Sequence, residues 1–207
     1  MPKKLTKLMI TGFDPFGTEK VNPSWRAVSN IPDKIESVEI IKQQLPTVFD
    51  KSLEKLISQI EDKDPDAIIL TGQAGGRHAI SVERVAINVN DANIPDNENN
   101  KPKDNYIFDH GPTAFFSTLP YKEIVDQIRN YEQIPAEVSN SAGTFVCNHV
   151  MYGMLYHLHQ RNKPIKGGFI HVPFLPEQVL NKPGKPYMAL DDIVKGLLRA
   201  IKVTCEV

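Results

Sequence analysis

"VFDKSLEKLISQIEDKDPDAIILTG", residues 48–72, changes its hydrophobic period part-way along. In its first half Phe49, Leu53, Leu56, Ile57 and Ile60 fall on one stripe of a helix, the mark of a surface helix packed on one side. In its second half "DAIILTG" (66–72) is apolar at successive positions and ends in glycine, which reads as a strand buried on both faces. A one-sided helix beside a two-sided strand is the repeating unit of a layered α/β fold.

The same alternation continues outward in both directions. "VEIIKQQL" (38–45) and "KLMITG" (7–12) read as strands upstream, with Asn22-Pro23 between them as a helix cap followed by proline at the first helical position. That short helix runs through Trp25 and Val28. Downstream, "ISVERVAINV" (80–89) reads as one extended segment, with Ile80, Val82, Arg84 and Ala86 alternating against Ser81, Glu83, Val85 and Ile87. Residues 91–113 are polar and rich in Asn, Asp and Pro, a length at which loops in compact domains are functional or mobile. There follow a helix "YKEIVDQIRNY" (121–131), a short strand "AEVSN" (136–140) and a helix marked by Val146, Val150, Met154, Leu155 and Leu158. A strand "GGFIHVP" (167–173) and a closing helix "LDDIVKGLLRAIKV" (190–203) complete the series. The expected architecture is a single-domain α/β/α sandwich over 1–207, with a mainly parallel, mixed central sheet.

Composition agrees with one globular domain: 207 residues, 41% hydrophobic and 24% charged, suffice for a core without disulfides or a structural metal. A net charge of -1 offers no electrostatic reason to expect nucleic acid or an anionic membrane as partner. No apolar run has the length of a membrane span, and "KLMI" is too short for the hydrophobic region of a signal peptide. The expected location is therefore the cytoplasm, where Cys147 and Cys205 stay reduced. Cys205, close to the C-terminus, is expected to be a bystander in a region where chains fray.

In α/β sheets ligands gather at the carboxyl ends of strands. Four segments of unusual composition fall at or beside such positions: "TGFDPFG" (11–17), "TGQAGGRHAISVERVAIN" (71–88), "SNSAGTFVCNHVMY" (139–152) and "GFIHVP" (168–173). A free cysteine is most often a small buried hydrophobe. Cys147, however, lies in the first turn of a helix, where unpaired N–H groups and the dipole favour thiolate and can receive an oxyanion. Ser141, Ala142 and Gly143 just upstream leave room for close approach to the backbone. Among six histidines, His149 is two residues along the same helix and faces away from Cys147, and His157 and His159 diverge from each other by the same angle, which weakens a metal-site reading. His78 belongs to the glycine-rich segment and His110 to the polar loop, where a solvated histidine is expected. His171 ends an apolar strand, where a polar residue is either a surface residue or part of the site, and in the second case it can partner Cys147. Glu83 sits inside an apolar strand, and its neighbour Arg84 points to the opposite face, so a buried Glu83 needs another partner, for which a histidine serves well. Asp91 and Asp96 are weaker competitors, as loop carboxylates are normally solvated. "TGQAGG" resembles a phosphate cradle but lacks the Gly-Lys-Ser/Thr ending. Phe13 and Phe16 either fold back onto the core or form the apolar walls of a small-molecule pocket.

Five ordered motifs, "GFDPFG…NPSW" (12–25), "GQAGGRHAISVERVAIN" (72–88), "IPDN" (94–97), "SAGTFVCNHVMY" (141–152) and "GFIHVPFLP" (168–176), resemble the pyroglutamyl peptidase type I (pyrrolidone-carboxylate peptidase) family along essentially the whole chain. The resemblance implies a cytosolic cysteine peptidase that removes N-terminal pyroglutamyl residues from peptides without metal or organic cofactor. It also implies a homotetramer. Its catalytic triad falls on Glu83, Cys147 and His171. For a neutral lactam substrate, Phe13 and Phe16 are expected to flank the ring and Gln73 to bond its polar edge. One position departs from the family pattern: "DANIPDN" (91–97) carries Asn93 where the family usually has arginine, and an asparagine hydrogen bond can replace part of the arginine's role but not its charge. Two readings from other classes compete: a nucleoside phosphorylase-like transferase, which needs a basic anion cluster, and a non-catalytic binding protein, which has no need of Glu83, Cys147 and His171 together.

Overall fold

Strands whose every residue is apolar need cover on both faces, and helices supply it here. The computed structural model describes residues 6–161 and 164–207. The elements are, in chain order, β1 (Lys7–Phe13), α1 (Pro23–Ser29), β2 (Lys34–Ile35), β3 (Val38–Leu45), α2 (Phe49–Lys63), β4 (Ala67–Gln73), β5 (Ile80–Glu83) and β6 (Val85–Ile87). Then come β7 (Ala114–Phe116), α3 (Tyr121–Tyr131), β8 (Ala136–Ser139), α4 (Val146–Gln160), β9 (Lys166–Val172) and α5 (Leu190–Cys205). Seven strands form one sheet in the order β2-β3-β1-β4-β9-β5-β8, while β6 and β7 form a small antiparallel pair. The central pairings β3–β1–β4–β9 are parallel, as is β5–β8; β2–β3 and β9–β5 are antiparallel. This is the expected mixed, mainly parallel sheet.

Each face of the sheet has its own core. Leu8, Ile10, Ile69, Ile80, Val82 and Ile170 pack against α1, α3 and α5 on one side. Met9, Ile68, Leu70 and Phe169 pack against α2 and α4 on the other. Helix α4 is buried almost all round, which explains why its sequence lacks a clean polar face. Helix α1 opens as its sequence predicts, with the Asn22 side chain accepting from Ser24 N and Pro23 at the first helical position. Among the described residues no helix is long and apolar enough to cross a membrane.

Three expectations need revision. Residues 80–89 are not one extended segment: the Arg84 N–H donates to Ser139 O, whereas the Arg84 carbonyl accepts from Ser117 N. The chain therefore leaves the large sheet and enters the small one at that residue. Asp96 is not a solvated loop carboxylate. It is buried, and it accepts from Phe49 N at the start of α2 and from Glu98 N and Asn100 N in its own loop. Burial pushes its carboxyl up, but the Asn100 amide and these three N–H groups outweigh that and hold it below the ordinary aspartate range. Loop 88–113 is pinned at further points. Asn88 accepts from Ile107 N and Phe108 N, and the Asn148 amide brackets Ile87 and Val89. Cys205 is buried at the end of α5 rather than frayed.

Candidate active site

The topology brings Glu83, His171 and Cys147 together from three separated parts of the chain. Antiparallel pairing of β5 with β9 sets Ser81 opposite His171, so Glu83, two residues on, lies on the same face and diagonally within reach. Its Oε1 is 2.7 Å from His171 Nδ1. Parallel pairing of β4 with β9 sets Gly72 on the other side of His171. A Cβ on Gly72 would stand 2.9 Å from Cys147 Sγ and 2.7 Å from the Phe169 ring. The absent side chain is thus the space into which α4 lowers its thiol, beside the imidazole. Phe169 supports the imidazole, with ring centroids 4.7 Å apart. Cys147 is the second residue of α4, whose N-terminus has no side-chain cap.

Glu83 is fully buried, and the Arg77 guanidinium donates to the same Oε1 at 2.7 Å. Burial raises the carboxyl, yet the hydrogen bond and charge of His171, the Ser139 hydroxyl and the Arg77 cation together hold it below the usual glutamate range. Glu83 is therefore a resident anion. Arg77 also donates to Ser141 O, so one side chain links this carboxylate to the 141–143 loop. Sequence reasoning passed over Arg77, because a cation six residues before the glutamate carries no periodicity signal.

Cys147 behaves differently from the simple helix-dipole expectation. Burial pushes the thiol up to about 12, and the Glu83 carboxylate adds to the rise; Arg77 and the Cys147 backbone N–H only partly oppose it. A helix N-terminus is worth at most ~2 kcal/mol, about one and a half pKa units, too little to cancel a rise from 9.0 to about 12. The residue keeps some surface, but that surface opens into a largely apolar cavity, where a thiolate is poorly solvated. Burial and the Glu83 charge thus favour the thiol over the thiolate in this cavity.

The cavity holds about 400 Å³ and is bounded by Cys147, His171, Phe13, Phe16, Gln73 and Phe145, among others. Both phenylalanines of the "GFDPFG" segment thus reach the same space as the thiol, Phe13 against Phe169 and Phe16 against Phe145. Their loop is held by the Asp14 carboxylate accepting from Thr47 N and by Asn97 Nδ2 donating to Pro15 O. Gly12 allows β1 to run this close to α1: a Cβ there would lie 2.6 Å from the Trp25 backbone. Arg77 is the sole Lys or Arg on the cavity wall among the described residues, and Glu83 engages it, so the wall has no basic cluster for a phosphate.

The other candidates lie elsewhere. His149 is buried in α4 against Phe49, with Nδ1 3.1 Å from Asn90 Oδ1; burial pulls it down to about 4, although the Asp50 carboxylate opposes this. His78 and His110 are exposed, His159 packs on Phe115, and the His157 imidazole stands 3.9 Å from Glu61. Asn93 is exposed and does not line the cavity. No group of three or more His, Cys, Asp or Glu residues among the described ones is arranged to hold a metal ion.

The profile described as pyroglutamyl peptidase matches residues 6–207. The chain belongs to the pyroglutamyl peptidase family. It is 57% identical to pyrrolidone-carboxylate peptidase 1 of Caldanaerobacter subterraneus over 197 residues, covering 95% of this chain and 97% of the relative. It is 56% identical to the pyrrolidone-carboxylate peptidase of Thermosipho africanus, covering 95% of each chain. Among solved structures, pyroglutamyl peptidase I of Bacillus amyloliquefaciens superposes with a TM-score of 0.93 at 48% identity, covering 98% of each chain. Pyrrolidone carboxyl peptidase of Pyrococcus furiosus superposes with a TM-score of 0.94 at 43% identity, covering 97% of this chain and 99% of that one. The pyroglutamyl peptidases are cysteine-type hydrolases, and the fold expected from sequence is theirs.

Proposed function

We propose that this chain is a cysteine exopeptidase that removes N-terminal pyroglutamyl residues from peptides through a thioester. The observation that carries the reading is the 2.7 Å contact of Glu83 with His171, on the sheet face where Cys147 Sγ fills the space above Gly72. Glu83 holds His171 Nδ1–H, which leaves Nε2 as the working nitrogen. With burial and Glu83 favouring the thiol, His171 accepts its proton as Sγ attacks the pyroglutamyl carbonyl. The first-turn N–H groups of uncapped α4 receive the oxyanion. His171 then hands the proton to the departing amine as the C–N bond breaks, leaving a thioester. Water gives a proton to His171 and attacks the thioester carbon; pyroglutamate leaves, and the sulfur regains its proton from His171.

The substrate ring is neutral, so apolar walls from Phe13 and Phe16 and a polar contact from Gln73 suit it. A prolyl ring has the same size but no lactam oxygen, and a site built around that oxygen can reject it by ~10⁴-fold. The reading extends to a single catalytic domain over 1–207, a homotetrameric assembly and cytoplasmic work without metal or organic cofactor. Release of a fluorogenic amine from its pyroglutamyl amide, compared with the prolyl amide, is the test. Turnover of the first alone, abolished in Cys147→Ser, supports the proposal. Equal turnover of both, or activity surviving in the serine variant, overturns it.

A further inference from the structure

Gln73 reaches the cavity, but an amide can present either its donor or its acceptor end, and nothing within the cavity decides which. The decision is made outside it. Gln178 is buried, lies beyond the cavity wall, and closes a short 3-10 turn over Pro176–Gln178. Its Oε1 accepts from Leu175 N at 2.9 Å. Its Nε2 donates at 2.9 Å to Glu19 Oε2 and at 2.9 Å to Gln73 Oε1, with Val21 O further off at 3.4 Å. Glu19 is itself paired with Lys182. Turning the Gln178 amide over would set an oxygen against the Glu19 carboxylate and an NH2 against Leu175 N–H, so its orientation is determined from two sides. Gln73 must then offer its oxygen to Gln178. Its own NH2 has no hydrogen-bond partner among the described residues and remains for the cavity.

We propose that Gln178 is a positioning residue for specificity. Through the chain Lys182–Glu19–Gln178–Gln73 it sets the cavity's polar end as a hydrogen-bond donor, selecting a ring that carries a carbonyl acceptor over one that does not. This rests on the peptidase reading for its substrate, but the direction of the hydrogen bonds does not. The donor end matches the oxygen of a γ-lactam and has no counterpart on a prolyl ring.

Gln178→Glu keeps the side-chain shape and the bond from Leu175 N but has no proton for Gln73, whose amide turns to donate outward and leaves an oxygen toward the substrate. Pairing it with Glu19→Gln removes the repulsion between two carboxylates and restores a bond between positions 19 and 178, without restoring a donor toward Gln73. Two readouts are taken on wild type, the single variant and the double variant, with melting temperature alongside. One is kcat and KM on the pyroglutamyl and prolyl amides. The other is protection of Cys147 from iodoacetamide by 2-pyrrolidone, which needs no turnover. The expected result is a KM for the pyroglutamyl amide raised roughly 10- to 100-fold in both variants, the scale of one unpaired buried polar group. Lactam protection is lost, alkylation without lactam is unchanged, and the melting temperature recovers in the double variant alone. Wild-type KM and protection in the double variant would make Gln178 merely structural and overturn the proposal, as would an unaltered KM in the single variant. If wild type is protected by the lactam but turns over neither amide, the peptidase reading fails while the hydrogen-bond assignment is still decided by the protection data.

Discussion

Cys147 shows how strongly one residue's chemistry depends on what surrounds it. Position in the first turn of α4 argues for a thiolate, whereas the cavity and the Glu83 carboxylate push the thiol up to about 12. A thiol raised this far is deprotonated only in proportion to hydroxide, so iodoacetamide alkylation should accelerate about tenfold per pH unit from pH 6 to 10. A plateau near neutrality would instead reveal a resting thiolate. Glu83 has the opposite sign: it stays ionised below the ordinary glutamate range, so it remains available to hold His171 at mildly acid pH. Glu83→Gln preserves the shape but loses the charge that favours a cationic imidazole. We expect kcat to fall on the order of 10³- to 10⁴-fold, with the fold retained by circular dichroism. Gly72 is the third residue of consequence. Gly72→Ala places a methyl group 2.9 Å from Sγ, and displacement of the thiol should lower kcat while KM changes little.

At the scale of elements, loops do much of the positioning. The 94–100 segment reaches α2 through Asp96, whose carboxylate caps Phe49 N, and reaches the Phe13–Phe16 loop through Asn97. Asp96→Ala should cost about 1–2 kcal/mol as the loss of a cap, more if the loop N–H groups also go unpaired, measured by urea unfolding. The sign of the pH effect follows from the depressed carboxyl. Its contribution is present above the ordinary aspartate value of 3.8 and is lost as pH falls through the lower folded value. The wild-type advantage over Asp96→Ala should therefore shrink in acid and be complete at neutral pH. Hydrophobic patterning located α2, α3, α4, β1, β3, β4 and β9 because each spans seven or more residues and carries its own apolar run or helical stripe. It joined β5 to β6 because alternation runs on through Arg84, and only the switch of hydrogen-bond partners there separates them. Asp96 was equally opaque, since a carboxylate's burial depends on which N–H groups a distant segment presents.

For the whole molecule, both cores are built on the same seven-stranded sheet, so neither can melt without exposing the other's strands. Near- and far-ultraviolet circular dichroism should consequently lose signal together on heating, and two separated transitions would contradict a single domain over 1–207. The strand order also explains why the site forms where it does. Strand β9 is the last of the named strands in chain order yet lies between β4 and β5, which brings His171 between Gly72 and Ser81.

The amino-acid sequence alone determined the layered α/β class and the family resemblance, and it singled out Glu83, Cys147 and His171 as candidates. Local periodicity and side-chain chemistry are properties of neighbours along the chain. Only the tertiary structure decided that β5 runs antiparallel to β9 and delivers Glu83 to His171, that Arg77 shares Glu83's oxygen, and that Gln178 orients Gln73 across 105 residues. It also set the burial and the nearby carboxylate that favour the thiol over the thiolate. Hydrogen-bond direction and desolvation arise from groups that meet in space, and no spacing along the chain encodes which groups those will be.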